Sequence, residues 1–324
     1  MNNLELIKAP IKEELAKFEL IFKETIKSDD FFLNTITNYV IRTKGKQVRP
    51  ILVFLSAKLC GKINDNTYTA ATLIELLHSA TLIHDDVVDD SDHRRGFFSV
   101  KALWKNKIAV LVGDYLLSQG LLISLNNNNF AILKIVSEAV KNMSEGELMQ
   151  IHKARTLDID EEVYFQIIKK KTAVLLAACC ACGCASNIND KNIEKTMYQI
   201  GENIGIAFQI KDDLLDFDIN RNTGKPKNID MKERKLTLPV IHLLKNSSLL
   251  KKRKYINYIK HFEKNPSGID ELIKEMQDKG SIEYAKEKMN FYCRQAIDLL
   301  NNFNHSEAKA SFENLIKFTI ERNK

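Results

Sequence analysis

Residues 67–90 read TYTAATLIELLHSATLIHDDVVDD, an apolar run at helical spacing that ends in acid. Residues 212–216 end a second such run, where Asp212-Asp213-Leu214-Leu215-Asp216 repeats the spacing of Asp85-Asp86-Val87-Val88-Asp89. On a helix, residues four apart share a face and stand about 6 Å from each other. Asp85 therefore points with Asp89, and Asp212 with Asp216. Helix energetics oppose both arrangements, because the macrodipole disfavours negative charge at a C-terminus and like charges at i,i+4 repel. One acidic helix end is a common surface feature. Two with the same spacing require a shared compensating cation.

Clustered carboxylates are hard oxygen ligands, and Mg²⁺ binds one or two of them together with waters and substrate phosphates. The pattern predicts a diphosphate held by bridging Mg²⁺ between two carboxylate helices. Asp85 and Asp212 are 127 residues apart, so the fold must bring them together. That argues for one domain over residues 1–324 with a central cavity.

Outside the two clusters, apolar residues recur every three to four positions through most of the chain. The spacing predicts helices near 4–27, 31–42, 49–61, 67–90, 107–125, 130–151, 161–185, 191–217, 237–246, 268–277, 281–302 and 306–321. Only five prolines and twelve glycines interrupt 324 residues, and no stretch reads as a strand. The expected fold class is all-α.

A hydrophobic fraction of 44% and a charged fraction of 28% fit a globular protein with a sizeable core. The net charge of +6 suits an anionic ligand but is too weak to indicate nucleic acid. The densest basic run, Lys251-Lys252-Arg253-Lys254, reads as a solvated helix face. The N-terminus lacks the pattern of a secretory signal. The longest near-apolar run, residues 173–185, has 13 residues, short of the roughly 20 that span a bilayer. The expectation is no integral membrane segment and a cytoplasmic location. Cys179, Cys180, Cys182 and Cys184 lie among alanines without the paired spacing of zinc sites, so they read as reduced packing residues.

Basic residues flank the acidic motifs. Lys46 and Arg49 precede Pro50 and a new helix, whose first N–H groups also favour anions. Arg94 and Arg95 follow the first cluster, Lys171 lies within a helix, and Lys225 and Lys235 follow the second cluster. His78 stands seven residues before Asp85 and shares its face.

Read together, these residues resemble the trans-isoprenyl diphosphate synthases, or polyprenyl synthases, of isoprenoid biosynthesis. The likeness runs through Gly45-Lys46-Gln47-Val48-Arg49-Pro50, His78, His84 to Asp89, Arg94-Arg95-Gly96, Gly113-Asp114-Tyr115-Leu116, Lys171-Thr172 and Gln209 to Asp216. Lys44 and Gln47 depart from it, standing where the family often has Gly and Arg. The resemblance implies a single-domain antiparallel helical bundle around a deep central cavity, acting as a homodimer. It implies that Asp85, Asp86, Asp89, Asp212, Asp213 and Asp216 hold Mg²⁺, as three ions bridging the allylic diphosphate. Arg94, Lys171, Thr172, Gln209 and Lys225 would serve that substrate, Lys46, Arg49, His78 and Arg95 would serve isopentenyl diphosphate, and Lys235 would be a further substrate-binding residue. Small residues at Ala80 and Thr81, above Leu77, imply an open path and a long-chain product of hexaprenyl to octaprenyl class. In short-chain relatives bulky aromatics close those positions. A short-chain synthase, a class I terpene cyclase and a non-catalytic partner subunit are the competing readings. The cyclase differs in its second metal motif, and the partner subunit would be expected to lose one acidic motif.

Overall fold

The computed structural model describes residues 3–43, 45–94, 96–217 and 228–321. Helices account for nearly all of its regular structure, as the spacing predicts. The expected first helix is divided, because Pro10 lacks an N–H and cannot continue the ladder. Helix α1 (Asn3–Lys8) passes through a 3₁₀ turn at Ala9–Ile11 into α2 (Lys12–Thr25). Helix α3 (Phe31–Arg42) starts on the Asp30 side chain, which accepts from Leu33 N. Helix α4 is Val48–Cys60, and α5 (Asp65–Val88) opens on a capping box between Asn64 and Thr67. Asp89 is the C-cap of α5, and Asp90 at φ +52° turns the chain away.

A hairpin follows that apolar periodicity did not predict. Strands β1 (His93–Arg94) and β2 (Phe97–Phe98) pair antiparallel with His93 opposite Phe98. Two residues per strand are too few to show alternation. Helix α6 (Val100–Asn126) begins seven residues before the expected start, on the Ser99 cap. Lys105 at φ +72° breaks it near its start, which hides the early turn from helical spacing. By length and composition α6 could cross a membrane, so residues 173–185 are not the longest apolar element. Asp114 within α6 masks this in a search for unbroken apolar runs.

Helix α7 is Phe130–Thr156. The expected single helix over 161–185 is instead α8 (Glu161–Ile168), a π turn at Lys169–Ala173, and α9 (Val174–Ala185). Helix α10 (Lys191–Asp216) carries the second acidic cluster, and α11 (Ile229–Lys232) and α12 (Leu238–Lys245) come after it. Helix α13 (Leu249–Lys260) was not predicted, because only Tyr255 and Ile259 of it are buried. Its basic run is a solvated face as expected, with Lys251 and Lys254 paired to Glu275 and Glu271 at 2.9 and 2.6 Å. Helices α14 (Pro266–Asp278), α15 (Ser281–Leu300) and α16 (Glu307–Glu321) complete the chain.

The chain divides into two compact units. The first is built from residues up to Ser137 with Ala178–Tyr198 and His305–Phe312. Its core packs α5 against α4 and α6, and Cys179, Cys180, Cys182 and Cys184 are buried in it as free thiols. Burial pushes the Cys180 thiol up to about 12, which fits a packing role. The second unit comprises Glu138–Ala177, Gln199–Asn304 and the chain from Glu313. There α12 packs on α8, α14 and α15.

Candidate active site

In the first unit the end of α5 is held by α6. A Cβ at Gly113 would stand 2.2 Å from His84 Nε2, so only glycine lets the ring lie there. That ring nitrogen is 3.2 Å from the Val110 carbonyl and 3.5 Å from Asp114. The Gly113-Asp114 pair thus anchors the turn that carries Asp85 and Asp86. Asp85 is half-buried, Asp86 buried and Asp89 exposed. Arg94 Nε donates to Asp86 Oδ1 at 2.8 Å. Burial pushes the Asp86 carboxyl up, and Arg94 works against that shift. His78, Asp86 and Arg94 line one small cavity together with Tyr39, Glu75 and Ser99. Tyr39 OH donates to the Phe98 carbonyl at 2.6 Å, tying the hairpin that presents Arg94 to α3.

Lys46 is exposed and Arg49 half-buried, and neither lines that cavity. They flank Gln47, whose φ of +55° lies in the left-handed region. Helix α4 starts there with no side-chain cap, which leaves its first N–H groups to an anion. Leu77 and Ala80 are buried and Thr81 is half-buried, its hydroxyl donating to the His78 carbonyl at 2.9 Å. Ala80 shares a face with Leu76 and His84, the residues that Gly120 and Gly113 of α6 approach. Arg95 and Lys225 lie outside the described residues, as does Lys44.

In the second unit the π turn carries Lys171 and Thr172, and Thr172 faces α10. A Cβ at Gly146 would stand 2.7 Å from Lys171 N, so glycine lets α7 meet this turn. Lys171 Nζ pairs with Glu147 at 2.5 Å. Thr172 Oγ1 donates to Gln209 Oε1 at 2.8 Å, and Gln209 Nε2 donates to Asp213 Oδ1 at 2.9 Å. Tyr164 OH donates to the other Asp213 oxygen at 2.7 Å. Asp216 accepts from Ile229 N and Asp230 N, both at 3.1 Å, and so caps α11. Lys171, Thr172, Gln209, Asp213 and Lys235 line one cavity of about 110 Å³ with Tyr164 and Asp230. Asp212, half-buried, is not among its lining residues.

This constellation of lysine, amide and paired carboxylates is suited to an anion escorted by a cation. Residues 31–276 match the polyprenyl synthetase family. The chain belongs to that family. It is 32% identical over 314 residues to the heptaprenyl diphosphate synthase component 2 of Bacillus subtilis, covering 96% of this chain and 89% of that protein. It superimposes on the decaprenyl diphosphate synthase of Rhodobacter capsulatus with a TM-score of 0.92 at 28% identity, covering 99% of each chain. With the geranylgeranyl pyrophosphate synthase of Bacteroides thetaiotaomicron the TM-score is 0.84 at 35% identity, covering 99% of this chain and 100% of that one. This polyprenyl synthetase family member is therefore an all-α prenyltransferase.

The family works with Mg²⁺, and the donor set fits that ion. Among the described residues no three carboxylate, His or Cys side chains converge to hold a metal unaided. Mg²⁺ bound here would complete its shell with waters and phosphate oxygens, which is its habit. Tyr164 and Asp230 were not singled out from sequence, though Tyr164 stands seven residues before Lys171 and so shares its helix face. Asp230 fell in a polar break with no periodicity to mark it. Glu75, a lone acid in an apolar helix, carried a signal that passed unread.

Burial first, and the Asp230 charge second, push the Asp213 carboxyl up to about 8. Burial and then Asp216 push Asp230 up to about 6. Both folded values exceed the unfolded carboxylate value, so the protonated forms stabilise the fold. That contribution is complete below about pH 4 and is lost as pH rises through 6 to 8. Ligand-free protein should therefore melt progressively lower across this range, and Asp213→Asn should flatten the upper part of the decline. Calorimetry from pH 5 to about 8.5 checks this. Parallel wild-type and variant curves would contradict it.

Proposed function

We propose that this family member condenses isopentenyl diphosphate with an allylic diphosphate, head to tail and in trans, to a hexaprenyl to octaprenyl diphosphate. The observation that carries the reading is the joint lining of one cavity by Lys171, Thr172, Gln209, Asp213 and Lys235. Those residues, with Arg94 and Lys225, serve the allylic diphosphate. Lys46, Arg49, His78 and Arg95 serve isopentenyl diphosphate. Residues 1–324 act as one catalytic domain in this reading, with three Mg²⁺ shared by the two acidic clusters.

When bound, Mg²⁺ neutralises the charge that grows on the departing diphosphate. Lys171 and Lys235 add fixed positive charge where that charge develops. The relay from Thr172 through Gln209, with Tyr164, holds the Asp213 carboxylate in one orientation. As the allylic C–O bond breaks, the isopentenyl double bond attacks the cation, and a proton then leaves to the released diphosphate. The apolar walls exclude the water that would quench the cation.

Helix α6 exposes Leu103, Val110, Leu111, Leu121, Leu122 and Leu125. A stripe of this kind favours a protein partner, and we assign it to a second copy of the chain. Sedimentation should return a dimer, and a stable monomer would refute the assignment. The free thiols suit a reducing, cytoplasmic setting.

The testing experiment supplies farnesyl or geranylgeranyl diphosphate, labelled isopentenyl diphosphate and Mg²⁺, and sizes the product. A hexaprenyl to octaprenyl product supports the reading. Arrest at geranylgeranyl length would overturn it and select the short-chain alternative.

A further inference from the structure

Thr237 is only 3% exposed, and its Oγ1 has no protein hydrogen-bond partner. It stands at the N-cap of α12, where a threonine ordinarily accepts from the helix's own N–H groups. Here it makes no such bond, although its backbone carbonyl accepts from Ile241 N at 3.0 Å. A buried hydroxyl left without a partner is destabilising, and valine would fill the same space without that penalty. The residue is therefore unexplained by packing or by capping.

Its surroundings supply an explanation. Thr237 lines the same cavity as Lys171, Lys235 and Gln209. The eight-residue helix α12 starts there, with the positive end of its dipole and the N–H groups of its first turn beside the hydroxyl. Pro239 removes one of those N–H groups and fixes the first turn in helical geometry. Asp213 and Asp230 also line the cavity and would repel a bare anion. The two lysines and the helix end offset that repulsion.

We propose that the Thr237 hydroxyl and the N-terminus of α12 form a subsite for a phosphate oxygen, with the hydroxyl as donor. The proposal rests on the reading of this cavity as the allylic diphosphate site. It goes beyond that reading by adding a donor that charge patterning does not reveal. Thr237 acts as a binding residue, and its unmet hydrogen bond in the ligand-free protein is completed by substrate.

Thr237→Val keeps the shape and removes the donor, while Thr237→Ser keeps the donor. The readouts are KM for each substrate, kcat, and the rise in melting temperature caused by inorganic pyrophosphate with Mg²⁺. The valine variant should raise KM for the allylic diphosphate about tenfold and leave that for isopentenyl diphosphate unchanged. It should lose most of the pyrophosphate-induced rise while melting no lower than wild type without ligand. The serine variant should stay within about twofold of wild type. A valine variant with unchanged KM and the full pyrophosphate response would overturn the subsite, leaving the hydroxyl to bind water alone. Lys171→Ala distinguishes the two levels. If it loses the response while Thr237→Val keeps it, only the subsite falls. If both variants keep the full response, the diphosphate reading of the cavity falls as well.

Discussion

Replacing Asp85 by alanine should lower kcat by about 10²–10³-fold, and Asp212→Ala should do the same. Each carboxylate lies in the last turn of a long helix, α5 or α10, against the macrodipole. At these helix ends each charge opposes the macrodipole by about 0.3–1 kcal/mol, a cost that alanine removes. Asp86 and Asp213 are poorer choices for this test. Asp86 holds Arg94, and Asp213 takes hydrogen bonds from Tyr164 and Gln209, so their loss also disturbs neighbours. Initial rates with saturating Mg²⁺, alongside melting curves, separate the two effects. Near-wild-type turnover in either variant would remove that cluster from the metal site.

The second large effect concerns product length. Thr81→Phe places an aromatic ring one turn, roughly 5.4 Å, before Asp85 on the same face of α5. The variant should remain active and stop at farnesyl or geranylgeranyl length instead of the hexaprenyl to octaprenyl class. Ala80→Phe tests the same path less cleanly. Ala80 is buried on the face that α6 approaches, so overpacking there should cost about 1–3 kcal/mol. Its small size has a packing explanation that Thr81 lacks. Product sizing by chromatography decides the matter. A Thr81→Phe variant with the wild-type product distribution would show that the chain does not grow past this turn.

The parts of this protein that could be read in advance are those where two physical signals coincide. The ends of α5 and α10 combine helical apolar spacing with charge that helix electrostatics oppose, and each cluster lies at the C-terminal end of its helix. Lys171, Thr172, Gln209, Asp213 and Lys235, all marked as candidates by motif or by charge, line one cavity. What escaped was structure without periodicity. The hairpin at residues 93–98 is too short to alternate, and the break at Lys105 depends on one backbone angle. Helix α13 hides its two buried residues behind a run of lysine and arginine. Tyr164, Asp230 and Thr237 are isolated polar residues that acquire meaning only from what they are folded against.

In the proposed reaction the two acidic clusters, with Mg²⁺, support ionisation of an allylic diphosphate for attack by isopentenyl diphosphate. A rapid-quench single turnover of the purified chain tests it most directly, with labelled allylic diphosphate, isopentenyl diphosphate and Mg²⁺. Pyrophosphate release and formation of the elongated diphosphate should occur together and one for one. Chelation should stop both, and added Mg²⁺ should restore both. Pyrophosphate released without elongation, or turnover that survives chelation, would contradict it.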